Sequence, residues 1–259
     1  FYVCIKYICN MIFFKNNEEK AALVQLGMVL RSITDNEQWP GYSCGIEKLE
    51  FEKFKSKINE ASLKNPWFTK DMIHQCFLNW SDCLVENEID NWLEKYNNLK
   101  YNNYKTVLII CAGNLPLVGF HDILCGFVLG YKIKVKLSSN DDVLIPAVLD
   151  LISLFYETGT HRVQILEKKP KDFDCVIATG SDNTNRYFEY YFGNVPNLFR
   201  KNRTSIAVID NSTKEEDFKK LANDVFSYFG LGCRSVTKIY LPVKFNTDLL
   251  FNAFYDYKE

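Results

Sequence analysis

The chain has 259 residues, 47% of them hydrophobic and 24% charged, with a formal net charge of −1. These proportions belong to a folded globular protein of one large or two smaller domains, and the near-zero charge excludes a global field for gripping nucleic acid or an acidic membrane surface. Nine cysteines with no CxxC pair, alongside only three histidines, read as reduced thiols of a cytoplasmic protein and argue against both a disulfide framework and a metal centre.

Residues 1–14 are apolar, but Lys6 and Asn10 interrupt them. The stretch is too short to span a bilayer, and it lacks a basic start and a small-residue cleavage site. It reads either as upstream or fragment-end sequence, with Met11 as the start, or as a terminal strand or helix docked on a core. From Glu18 to Ile33 the apolar residues Ala22, Leu23, Leu26, Val29, Leu30 and Ile33 recur at close to helical spacing. Trp39-Pro40-Gly41 breaks that helix, and Phe51 to Ala61 predicts a second, weaker one. Asn65-Pro66-Trp67-Phe68-Thr69 predicts a turn, with Thr69 as N-cap of a helix carrying Met72, Ile73, Cys76, Phe77, Trp80 and Leu84 on one face. A short helix through Ile89, Trp92, Leu93 and Tyr96 stops at Asn97-Asn98.

At about residue 105 the pattern changes. The run Thr106 to Ile110 is continuously apolar, as in a strand buried on both faces. A glycine turn, a helix over 120–129 ending at Gly130, and a strand over 132–137 follow. Asp141 to Tyr156 predicts a helix with acidic residues in its first turn. Strands are expected at 163–166, 175–178 and 205–209, and helices at 183–192 and 215–228. Strands alternating with helices predict an α/β fold with a doubly wound, mostly parallel sheet, which binds ligands at the carboxyl ends of its strands. The domain reading is a mainly helical region over 1–100, a Rossmann-like domain over 101–200 and a partial domain over 201–259.

Two segments suggest chemistry. Phe229-Gly230-Leu231-Gly232-Cys233-Arg234 sets a thiol among glycines, where a substrate can approach the backbone closely. Cys111-Ala112-Gly113-Asn114-Leu115-Pro116 offers an amide side chain just after a strand. A thiolate attacks carbonyl carbon, and N–H donors hold the oxygen charge that develops, so the pair reads as thioester chemistry.

The ordered set AGNLPLVGFHD (112–122), VKLSSND (135–141), ATGSDNTNRYFEYYFG (178–193) and YFGLGCR (228–234) resembles the acyl-CoA reductase family. That family includes the fatty-acid reductase of bacterial luminescence and is a branch of the aldehyde dehydrogenase superfamily. The resemblance runs from about residue 17 to residue 250 and takes in the NPWFT turn at 65–69. It implies an aldehyde-dehydrogenase-like fold and a role for each matched position. Cys233 matches the nucleophile that forms an acyl thioester. Asn114 matches the asparagine that builds the oxyanion hole with the nucleophile's own N–H. Lys136 matches a lysine at the adenosine ribose, and Thr179, Gly180 and Ser181 match a turn near the cofactor's phosphates and nicotinamide. Each has a plainer alternative: a buried structural thiol, a turn asparagine, a solvated strand-end lysine, a helix cap at Ser181. His121 could relay protons or simply open a helix, and Arg200 to Arg203 reads by default as a solvated basic loop.

Departures from the superfamily sharpen the expectation. Hydrolytic relatives carry a glutamate that activates water; here no carboxylate lies between Glu189 and Asp210. Without a local base, water attack on a thioester is slow. The lysine motif often ends in glutamate, but here it reads Lys136-Leu137-Ser138-Ser139, so a 2′-phosphate is tolerated and NADP(H) is favoured. The expected function is NADPH-dependent reduction of a fatty acyl thioester such as acyl-CoA to an aldehyde. The alternatives are an oxidative aldehyde dehydrogenase, or a non-catalytic acyl-accepting or scaffold subunit. Relatives continue well beyond Glu259 into the rest of the catalytic domain and an oligomerisation arm. The resemblance therefore implies a C-terminally truncated fragment of a homo-oligomer, with an acyl-transferring or synthetase partner and no integral membrane segment.

Overall fold

The computed structural model describes residues 17–35, 38–96, 104–210 and 212–257. The apolar stretch at 1–14 and the helix stop at 97–98 lie outside them. The chain divides into two compact units that meet in sequence between Arg200 and Lys201.

In the larger unit, α1 (Asn17–Asp35) buries the stripe its spacing predicts, from Ala22 to Ile33. It packs on α3 (Lys70–Cys83), which follows α2 (Lys48–Lys64). Gly27 permits the approach of α1 to the end of α3: a Cβ there would sit 2.8 Å from the Leu84 carbonyl. Thr69 caps α3 as expected, its Oγ1 accepting from the Met72 N–H at 3.3 Å. Phe54 of α2 stacks on Phe77 of α3, and α4 (Glu86–Glu94) adds Ile89 to the same core.

Beyond residue 104 come β1 (Thr106–Ile110), α5 (Phe120–Val128), β2 (Lys132–Lys136), α6 (Leu144–Phe155), the single turn α7 (Glu157–Thr160), β3 (Val163–Ile165), β4 (Cys175–Thr179), α8 (Asp182–Phe192) and β5 (Asn197–Arg200). The strands form one parallel sheet in the order β3-β2-β1-β4-β5. The continuous apolar run of β1 is explained by two cores. Val107 and Ile109 join the core shared with α1, α3 and α6, while Leu108 packs with Val176, Ala178 and Phe188. Both α1 and α2 rest on α6, so one core crosses the expected boundary near residue 100.

Two expectations need correction here. The helix expected from Asp141 starts instead at Leu144, with no acid in its first turn. The Asp141 N–H closes a turn onto the Ser138 carbonyl at 3.1 Å, and its carboxylate is engaged elsewhere. Within the segment read as a basic loop, Arg200 instead ends a strand, because Asn197 to Arg200 pairs along β4, while Lys201 to Arg203 are an exposed loop as expected.

The smaller unit holds β6 (Ser205–Val208), α9 (Glu215–Phe226), a 3₁₀ turn (Ser227–Gly230), β7 (Val236–Tyr240) and α10 (Asp248–Phe254). β6 and β7 pair in parallel, and Ile209, Phe218, Leu250 and Ala253 form the core beside them. β7 and α10 were not expected from the sequence. α9 stops at Phe226 rather than Tyr228: Ser227 leaves the helix at a ψ of 137°, and Tyr228, Phe229 and Gly230 then take left-handed φ values of 55°, 53° and 69°. Among the described residues no helix is long and apolar enough to cross a membrane, and no group of three or more His, Cys, Asp and Glu side chains is placed to hold a metal.

Candidate active site

In the larger unit the chain leaves β1 toward β2 on one side, and β4 lies on the other, so the sheet reverses its winding at β1. The carboxyl ends at such a point are where open α/β sheets bind ligands. Three turns that carry sequence-predicted site residues gather there. The turn after β1 carries Asn114, exposed; the turn after β2 carries Ser139, exposed; the turn after β4 carries Gly180 and Ser181. The first two touch, since a Cβ on Gly113 would come within 2.5 Å of the Ser138 hydroxyl and 3.0 Å of Asn140 Cβ.

A buried carboxylate ties the first two turns together. Asp141 accepts from the Leu117 N–H at 2.8 Å, holding Leu117 at a left-handed φ of 56°. Burial pushes the Asp141 carboxyl up to about 7, opposed by the backbone donors of Leu117 and Leu144. The helices reinforce the same edge from outside. Asn65 Nδ2 donates to the Asn140 carbonyl at 3.1 Å, Lys64 pairs with Asp142 at 2.7 Å, and the Cys76 thiol donates to the Pro116 carbonyl at 3.3 Å. The NPWFT turn thus buttresses the turn that carries Ser139.

Lys136 ends β2 and reaches past β3, its Nζ donating to the carbonyls of Leu166 (3.3 Å) and Glu167 (3.0 Å). An ammonium has three donors, so one is left for a ligand. Thr179 closes β4 opposite Arg200. Ser181 caps α8, its Oγ accepting from the Thr184 N–H at 3.2 Å. Capping and anion binding are compatible at a helix N-terminus. Gly180 is pressed against the first turn of α8, where a Cβ would meet Thr184 at 3.0 Å. Glycine cradles after β1 and β4, a capped helix N-terminus and a lysine with a donor to spare fit a dinucleotide.

Sequence reasoning missed the network behind this edge. Arg200 at the end of β5 forms an ion pair with Asp122 of α5. Burial raises the Asp122 carboxyl pKa, but hydrogen bonds from His121 and Arg200 outweigh it and the net shift is downward. Asn185, buried on α8, donates from Nδ2 to the carbonyls of Gly180 (3.3 Å), Ser181 (3.2 Å) and Arg200 (3.3 Å). His121 sits between Trp80 and Trp92, with Asp122 3.8 Å and the Cys125 sulfur 3.7 Å from Nδ1. Asp122 and Cys125 raise its pKa against the effect of burial. An imidazole that keeps its proton at neutral pH is poorly suited to accept one, which favours the helix-histidine reading.

In the smaller unit Cys233 is exposed and lies in the turn Gly232 to Ser235, closed by the Ser235 N–H onto the Gly232 carbonyl at 3.0 Å and by the Gly232 N–H onto Ser235 Oγ at 3.2 Å. Among the described residues neither the Cys233 thiol nor its N–H has a hydrogen-bond partner. Four other thiols differ. Burial holds Cys111 up at about 12 and Cys175 at about 11, and raises Cys76 further. Cys83 is exposed, but desolvation and the carboxylates of Asp82 and Glu88 raise its thiol too. Cys125 is half-buried.

No protein-family model and no curated protein sequence matches the chain. Solved structures do. Aldehyde dehydrogenase 21 from Physcomitrella patens, in complex with succinate, matches at a TM-score of 0.63 and 13% identity, over 93% of this chain and 51% of its own. Succinic semialdehyde dehydrogenase from Streptococcus pyogenes, in complex with NADP+, matches at 0.61 and 14%, over 94% and 55%. Aldehyde dehydrogenase C from Pseudomonas syringae, in complex with NAD+ and octanal, matches at 0.64 and 10%, over 91% and 49%. The chain spans about half the length of each. Over that span its fold is that of the aldehyde dehydrogenases.

Proposed function

We propose that this chain carries the nucleophile and the cofactor edge of an NADPH-dependent reductase that converts a fatty acyl thioester to an aldehyde. The observation that carries the reading is Cys233: an exposed thiol with an uncommitted N–H, whereas desolvation suppresses the thiols of Cys76, Cys111 and Cys175. In this reading the Cys233 thiolate attacks the acyl carbonyl carbon, a new C–S bond forms, and the donor's thiolate leaves. The Cys233 N–H is a donor for the oxyanion, and Asn114 keeps the oxyanion role that its match to the family's asparagine implies. Lys136 and the Gly180–Ser181 turn bind the dinucleotide, and Ser139 leaves room for a 2′-phosphate. When bound, the reduced nicotinamide supplies the hydride that turns the thioester into an aldehyde. With no carboxylate between Glu189 and Asp210, the chain offers no local base for hydrolysis.

A second reading, an oxidative aldehyde dehydrogenase, is favoured by the solved neighbours, which include dehydrogenases with succinate and with octanal. One pair of incubations separates the two. Acyl-CoA with NADPH should yield aldehyde, whereas aldehyde with NADP+ should yield acid only in the second reading. A stable acyl-enzyme with no turnover would instead mark an acyl-accepting subunit. Cofactor choice is tested by Ser139→Glu, which should reverse a preference for NADPH over NADH of about tenfold by setting a carboxylate against the phosphate. An unchanged ratio of binding constants would remove the ribose from between Lys136 and Ser139.

A further inference from the structure

The Asn185 side chain is unusual in its balance. It is 1% exposed, its Nδ2 serves three carbonyls, and its Oδ1 is buried with no partner. An unsatisfied buried acceptor costs about 1–3 kcal/mol, which offsets part of what the three donated bonds contribute to stability. The donor side is what the position gains. Its three acceptors are the two carbonyls of the Gly180–Ser181 turn and the carbonyl that ends β5, which also takes the Gly180 N–H at 3.1 Å. Arg200 is in turn anchored through its guanidinium to Asp122 on α5. One amide therefore clamps the turn after β4 to the neighbouring strand and, through Arg200, to the helix after β1.

We infer that Asn185 is a positioning residue that sets dinucleotide affinity by fixing the Gly180–Ser181 turn and the N-terminus of α8, without touching the cofactor. This rests on the reading of that edge as the cofactor site. Anion binding by backbone N–H groups depends on their aim, and a turn free to drift by a fraction of an ångström loses it.

The test compares wild type with Asn185→Leu, which keeps volume and burial but removes the donors, and with Asn185→Ala. Three quantities are measured: NADPH binding by titration, acylation of Cys233 by labelled acyl-CoA without NADPH, and hydrogen exchange at the amides of residues 180–184. The expected result is NADPH binding weakened tenfold or more in both variants, faster exchange at those amides, acylation changed less than twofold, and a thermal midpoint for Asn185→Leu close to wild type. NADPH binding unchanged in the variants overturns the inference alone. Binding and acylation falling together with the thermal midpoint also overturn it, because the role would then be structural. Wild-type protein that binds neither NADPH nor NADH overturns the cofactor reading and this inference with it.

Discussion

The two units differ in how they support their reactive groups. In the larger unit the turns bearing Asn114, Ser139 and Ser181 leave a five-stranded sheet whose central strand feeds two cores, and they are braced by Asp141, Asn185, Asn65 and Lys64. In the smaller unit Cys233 follows a left-handed run beside a two-stranded sheet. Ile209 is buried there, while Ile206 and Val208 are exposed. Parallel sheets are ordinarily covered on both faces, so this one is thinly dressed. The comparison teaches that the turns of the larger unit are held by buried polar braces, while the thiol of the smaller unit is exposed.

The strongest way to break that contrast is to move the chemistry off Cys233. Cys233→Ala should abolish thioester labelling by radiolabelled acyl-CoA. Equal labelling of the variant would give the accessible role to another thiol.

The bracing of the larger unit is tested next by Asp141→Asn. The folded carboxyl titrates near 7 against an ordinary 3.8, so the site contributes fully below pH 4, and that contribution is lost as pH rises through 7. The variant should lack this loss and be the more stable protein at pH 8 by a few kcal/mol, because each tenfold change in proton affinity corresponds to about 1.4 kcal/mol. Urea unfolding at pH 5 and pH 8 measures it; parallel pH profiles would refute the buried charge.

Asn114→Ala should slow acyl transfer about 100-fold while leaving the fold intact, because the side chain is exposed on its turn. An unchanged rate would reduce Asn114 to a turn residue. The smallest effect is expected in the loose unit itself. Phe229→Gly relieves a left-handed backbone at an exposed position and should stabilise that unit by about 1 kcal/mol in thermal unfolding. A loss of stability would show that the ring's contacts outweigh the strain.

What the sequence revealed follows the same divide. β1 was legible because a strand buried on both faces writes a continuous apolar run, and α1 and α3 because a single buried stripe writes a helical period. β5 and β7 were not, since Asn-Leu-Phe-Arg and Val-Thr-Lys-Ile-Tyr are short, mixed in polarity and only partly buried. The turns of the candidate site could be read from glycine, asparagine and serine placed after strands. Their braces could not. Asp141 serves a backbone N–H 24 residues earlier, and Asn185 serves carbonyl oxygens, which every residue has and no sequence marks. The left-handed Tyr228 and Phe229 were equally hidden, as neither side chain prefers that conformation.

That left-handed run has a kinetic consequence. Residues held in sparsely populated backbone regions each cost of order 1–3 kcal/mol, and the cost is recovered whenever the segment opens. Two such non-glycine residues in succession, beside a small core, lower the free energy of local unfolding relative to the rest of the molecule. The segment leading into Cys233 is therefore expected to show weaker protection in native-state hydrogen exchange than the sheet of the larger unit.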